Sequence, residues 1–216
     1  MRRSADAPSL TQRDLADAWE EALAGSGLPV AWTDAATPRI RLSFGAPLPV
    51  GVAGEAELID LYLTERWPTW RVREQLSAWL PAGWTLVDLY DVWLAGPALP
   101  GRIVAADYRI ALGGGVSAAA IDAACARLLA ARSIPRDRMK SGASVRYDLR
   151  PLLADVAMVA TGPPVVVRAR TRFHPELGTG RPDEVIAALA EAAGEPLEVA
   201  SIVRERLVLA DEDARP

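Results

Sequence analysis

The sequence predicts an α/β (α+β) fold made of two ferredoxin-like halves of the β-α-β-β-α-β type, the first lacking its opening strand. Three observations carry that expectation. Some windows repeat apolar residues at helical spacing and others alternate apolar with polar residues. The two kinds of window follow one another along the chain in the order of an α/β protein. Near the middle, Gly96-Pro97-Ala98-Leu99-Pro100-Gly101 interrupts both periodicities and reads as a boundary. Residues 1–95 then form a tryptophan-rich N-terminal α+β half, partly ferredoxin-like. Residues 102–216 form a C-terminal ferredoxin-like half with an extra hairpin and a basic face. At 216 residues and 50% hydrophobic, the chain is long enough for one large core or two small ones. A single mixed sheet through all residues is the alternative topology.

Each element has a local reason. Ser9-Leu10-Thr11-Gln12 reads as a capping box before apolar residues at Leu15, Ala18, Trp19, Ala22 and Leu23, which predicts a helix over 10–25 ended by Gly25 or Gly27. Alternation predicts strands over 39–44 and 57–63, joined by a stiff stretch holding Pro47, Pro49 and Gly51. Pro68 stands at a helix entry, with Val72, Leu76, Trp79 and Leu80 at helical spacing, and 84–93 reads as a strand. In the second half, 103–112 reads as a strand, Gly113-Gly114-Gly115 as a turn, and Ser117 as the cap of a helix carrying Ile121, Ala124, Cys125, Leu128 and Leu129. Short strands follow near 134–140, 144–149, 155–160 and 164–172. A helix begins at Pro182, with Asp183 and Glu184 in its first turn, and 197–209 closes the half as a strand. The result is the split β-α-β order with one added hairpin.

Composition removes several classes of function. No run approaches the roughly 18 apolar residues of a membrane span, and the segment after Met1 has no apolar stretch behind it, so a cytoplasmic location is expected. Cys125 is the single cysteine, which leaves no intrachain disulfide and no thiolate cluster for iron–sulfur or structural zinc. No cofactor or metal of its own is therefore expected. The net charge is −4, yet residues 127–181 hold eleven basic side chains against four acidic ones. All seven tryptophans precede residue 94, most of them expected in the core.

Certain runs resemble a known family. Gly27-Leu28-Pro29-Val30-Ala31-Trp32, then Pro38-Arg39-Ile40-Arg41-Leu42-Ser43-Phe44-Gly45-Ala46-Pro47-Leu48-Pro49-Val50-Gly51 and Glu57-Leu58-Ile59-Asp60-Leu61 are similar to segments of the radical SAM-linked (radical SAM-associated) protein family, a domain of unknown function. Tyr147-Asp148-Leu149-Arg150-Pro151-Leu152 and Gly180-Arg181-Pro182-Asp183-Glu184-Val185 follow in the family's order, so the resemblance spans almost the whole chain. The residues that carry it are Pro38, Ser43, Phe44, Pro47, Pro49, Gly51, Glu57, Asp60, Asp148, Arg150 and Pro182. It implies a gene beside, or a fusion to, a cobalamin-binding-type radical SAM protein, in some chains a ribonuclease E/G-type enzyme. Relatives carry a Gly-Phe-x-Pro-His-Pro segment where this chain has Asp34-Ala35-Ala36-Thr37-Pro38-Arg39, so a role for those histidines does not transfer.

Few side chains suit catalysis. His174, the single histidine, reads as a loop residue, and Cys125 lies among alanines on an apolar helix side, where a thiol packs as a small hydrophobe. Gly113-Gly114-Gly115 lacks the Lys and Ser/Thr of a phosphate-binding loop. Glu55 and Glu57 show no sign of burial, while Asp60 interrupts an apolar strand and must either face solvent or pair with a cation such as Arg39 or Arg41 across the sheet. The basic residues are more suggestive. Arg136, Arg138 and Lys140 are two apart, as are Arg168, Arg170 and Arg172, so each trio shares one face of its strand. On neighbouring strands the two trios, with Arg146, Arg150 and Arg181, would form a candidate anion- or RNA-binding face. The plainer reading is a solvated arginine face partnered by Asp148 and Asp155.

Two functions are expected. In the first, the chain is a non-catalytic accessory or substrate-presenting partner of a radical SAM enzyme, with exposed tryptophans as a docking patch. In the alternative, it is an RNA-binding module using its arginine-rich sheet face. An RNA-modifying or RNA-processing enzyme stands third.

Overall fold

The computed structural model describes residues 1–8, 10–92, 97–140 and 142–210. Two compact units divide the chain, Met1–Ile103 and Val104–Pro216. The fold is mixed α+β.

In the first unit, β1 (Arg2–Arg3) pairs antiparallel with β3 (Ala53–Gly54) and β5 (Trp84–Thr85). This corrects the expectation that the opening strand is missing. Two arginines make it, and they carry no alternation that would mark a strand. The helix α1 (Gln12–Gly25) is capped by Thr11, whose hydroxyl accepts from the Asp14 amide at 3.2 Å. Ser9, the expected cap, lies outside the described residues. The strands β2 (Leu42–Phe44) and β4 (Ile59–Leu61) pair antiparallel as a separate ladder, with Leu42 opposite Leu61. Next, α2 (Thr69–Ser77) starts after Pro68, as expected. The strand expected over 84–93 is only β5. Arg2 and Arg3 pair with Thr85 and Trp84, while Met1, the next position along, bonds to the backbone of Glu57 instead. Residues 86–92 carry no strand, and Trp93 lies outside the described residues. A short helix, α3 (Leu99–Arg102), occupies part of the stretch that reads as a turn-rich boundary.

The core of this unit gathers Trp19, Leu23, Leu28, Ile40, Val72, Leu76 and Trp84. Trp19 meets Phe44 and Trp84 edge-on, with ring centroids 6.3 and 5.4 Å apart. The expectation that most tryptophans are core does not hold. Trp32, Trp70 and Trp79 are exposed, and Trp67 is half-buried under the guanidinium of Arg71, 3.7 Å above its ring. The physical reason is size: two helices and a few short strands leave room around Trp19 and Trp84 for little more aromatic volume.

The second unit follows its predicted order closely. After β6 (Ile103–Leu112) comes α4 (Ala118–Ala130), with the Ser117 hydroxyl accepting from the Ala120 amide at 3.4 Å. A hairpin of β7 (Pro135–Lys140) and β8 (Ala143–Asp148) stands as its own two-stranded sheet. A single turn at Arg150–Leu152 leads to β9 (Leu153–Ala160), β10 (Val165–His174) and the short β11 (Gly178–Thr179). The unit closes with α5 (Pro182–Ala193) and β12 (Val199–Leu209). Within the sheet the order is β9-β10-β6-β12, and β11 adds to the end of β10. Apart from the inserted hairpin and the short β11, the element order is β-α-β-β-α-β. The first unit does not repeat it, because its strands divide between two small ladders.

Alternation along β10 positions the candidate site. Val165, Val167 and Ala169 enter a core with Ile110, Ile121, Leu128, Leu152, Val185 and Leu189. Each fully buried Val, Leu or Ile among them contributes about 1.5–3 kcal/mol of transfer free energy. The intervening Arg168, Arg170 and Arg172 therefore project from the other face. Among the described residues, no helix is long and apolar enough to cross a membrane.

Candidate functional site

The face of β10 that carries the arginines is an ion-pair network. In register, Arg168 stands opposite Arg109 of β6, and Arg170 opposite Asp107. Arg170 grips Asp107 with two bonds, Nε to Oδ1 at 2.6 Å and Nη2 to Oδ2 at 2.9 Å. Arg206 of β12 adds a third, Nε to Oδ2 at 2.8 Å. Alongside, Glu205 accepts from Arg109 Nε at 3.0 Å on Oε1 and from Arg168 Nε at 2.9 Å on Oε2. Burial alone would raise the pKa of the Asp107 carboxyl. The hydrogen bonds and charges of Arg170 and Arg206 outweigh it and hold the group below the ordinary carboxylate value. Asp107, Asp155, Arg168, Arg170, Glu205 and Arg206 line an open depression of about 420 Å³.

The partners are not those the sequence suggests. Asp155 sits opposite Arg170 on β9, yet Arg170 turns to Asp107. Asp148 serves the backbone: its Oδ1 accepts from the amides of Ile134 at 2.7 Å and Arg150 at 2.9 Å. Burial would raise its pKa, but those amides, Ser133 and the charge of Arg150 lower it. Asp107, Arg109, Glu205 and Arg206 were legible only as charges breaking the apolar runs 103–112 and 197–209.

The other arginines do not gather into one face. β7 pairs with β8 and belongs to a different sheet from β10, so the two trios do not lie on neighbouring strands. Arg136 binds Glu191 at 2.7 and 2.9 Å, and Arg138 stacks 4.4 Å over the Tyr147 ring while Nη2 reaches Leu177 O at 3.4 Å. Lys140 ends β7. Arg146 faces Asp137 across the hairpin at 3.4 Å. Arg150 turns inward and donates to the carbonyls of Leu129, Ala131 and Leu153 at 3.0, 3.2 and 2.9 Å, fastening the end of α4. Arg172 reaches Pro151 O at 3.3 Å, and Arg181 is the exposed cap position of α5.

The residues that carry the family resemblance mostly build structure. Phe44 packs against Trp19, Ser43 stands opposite Asp60, and Pro182 is the buried first residue of α5. Pro38 and Pro47 are exposed, Pro49 is half-buried, and Gly51 holds a left-handed φ of 77° in the turn before β3. Glu57 is buried, against expectation, and its backbone exchanges two bonds with Met1: amide to Met1 O at 2.7 Å, and the Met1 amino group to Glu57 O at 2.9 Å. Burial raises the Asp60 pKa and the charge of Arg102 opposes the shift. The pairing of Asp60 with Arg39 or Arg41 is not found among the described residues. Arg39 is bound to Asp17 and, at 2.6 Å, to Glu20 on α1, and Arg41 lies 4.2 Å over the Tyr62 ring.

Groups suited to catalysis are tied down. His174 Nδ1 accepts from the amides of Glu176 and Leu177, both at 3.2 Å. Burial, and next the charge of Asp122, push the Cys125 thiol up to about 11, so it stays protonated near neutrality. A Cβ on Gly114 would stand 3.0 Å from Glu198 Oε2, so a carboxylate already lies against the triple-glycine turn and opposes an anion there. Among the described residues, no group of three or more His, Cys, Asp or Glu is placed to hold a metal ion.

The family model described as "Uncharacterized protein conserved in bacteria (DUF2344)" matches residues 2–202. The chain belongs to that family. No curated protein matches it.

Proposed function

We propose that the chain is a non-catalytic accessory or substrate-presenting protein that works with a radical SAM enzyme. The observation that carries the reading is the exposure of large aromatic side chains in the first unit: Trp70 is 67%, Tyr90 61% and Trp32 55% exposed. Such side chains are costly to leave in water and common at the centre of protein interfaces. Two ion pairs brace the surface. Arg73 Nη2 meets Asp88 at 3.2 Å and Arg66 Nη2 meets Asp91 at 2.9 Å, tying α2 and the chain just before it to the segment that bears Tyr90. The choice of partner rests on the residues that resemble the radical SAM-linked family.

The test is capture of the tagged protein from lysate of its native cell, with and without ribonuclease. A radical SAM protein retained after ribonuclease supports the reading, whereas its absence from both samples overturns it. RNA binding, the second reading, draws on the basic β7–β8 hairpin, where the Arg146 side chain is 76% exposed. It predicts nucleic acid in the untreated sample and retention that falls steeply with salt.

A further inference from the structure

We propose that the depression on the second unit binds a small zwitterion, an amino-acid-like molecule whose carboxylate lies against Arg168 and Arg206 and whose ammonium lies against Asp155. The charge arrangement points there. Three guanidiniums and three carboxylates line the depression, so it carries no net formal charge. Asp107 and Glu205 are spent on the network, each accepting from two arginines. Their bonds fix the guanidiniums in place, as a preorganised site requires.

What remains unspent has both signs. Arg168 and Arg206 donate through Nε alone, which leaves their terminal nitrogens without a protein partner among the described residues; their side chains are 55% and 50% exposed. Asp155 accepts no hydrogen bond from the described residues and is exposed. It lies on β9, next to β10, diagonal to Arg168. Spare donors on one side and a spare acceptor on the other match separated charges on one molecule. A polyanion such as RNA would meet Asp107, Asp155 and Glu205 at close range, and like charge across an interface is repulsive. An amino-acid-sized molecule fits within about 420 Å³. The inference goes beyond the accessory reading and does not depend on a partner enzyme.

Calorimetric titration of the full chain tests it. The probes are β-alanine, γ-aminobutyrate and ε-aminocaproate, zwitterions of increasing span, with butyrate, butylamine and inorganic phosphate as controls. At least one zwitterion binds about ten-fold tighter than every control. Asp155→Asn brings that zwitterion down to the level of butyrate, and Arg168→Gln weakens both. The Asp155 side chain makes no bond among the described residues, so the Asn variant keeps the test valid even where an arginine variant is unstable. Binding of phosphate or butyrate as tightly as the best zwitterion overturns the proposal, as does the absence of zwitterion binding.

Discussion

Replacing Asp107 by Asn keeps the shape of the side chain and removes the charge that three arginine bonds meet. Asp107 is only 7% exposed, so water replaces little of what is lost. Removing one partner of a fully buried pair costs about 3–5 kcal/mol. Arg170 and Arg206 have side chains 35% and 50% exposed, which screens them and lowers the figure to about 2 kcal/mol. For a chain of this length that is a fall in Tm of about 4–8 °C at neutral pH. The pH dependence has a definite sign. The folded carboxyl has a lowered pKa, so its contribution is complete above the unfolded value of about 3.9 and fades as pH falls through the folded value. Thermal melts of both proteins from pH 7 downward should therefore converge in acid. Equal stability at pH 7, or a gap that stays constant into acid, would refute the reasoning.

Two further outcomes follow from packing. Gly180→Ala places a Cβ 2.8 Å from the Leu152 carbonyl oxygen and 3.0 Å from Thr171 Cβ, and should cost about 1–3 kcal/mol by urea midpoint. A midpoint unchanged from the parent would contradict the close approach. Cys125, buried and with its pKa raised to about 11, should resist iodoacetamide at pH 8 in the folded protein and react promptly in denaturant. Equal labelling rates in both states would show the thiol to be accessible.

The second unit was legible because its signals are local and agree. Ser117 caps α4, Pro182 opens α5, and alternation marks β10 as buried on one side and basic on the other. Pairing across the sheet was not legible. Nothing near Arg170 in sequence indicates Asp107, 63 residues away, or that Arg206 shares the same carboxylate from 99 residues beyond it. The first unit hid more, because its ladders are two or three residues long and alternation needs four or more to register. Arg2 and Arg3 pair by position alone, and tryptophan spacing does not say which rings the small core around Trp19 will admit. Arg150 and Asp148, two residues that carry the resemblance, fasten backbone.

The most direct test of the accessory reading uses the purified chain and the radical SAM protein recovered with it, mixed and sedimented under anaerobic conditions. The account predicts a defined complex that survives ribonuclease and is lost in the Trp70→Ser, Tyr90→Ser double variant, whose melting temperature stays at the parent value because both side chains are exposed. Separate sedimentation of the two proteins, or a complex indifferent to both substitutions, would contradict it.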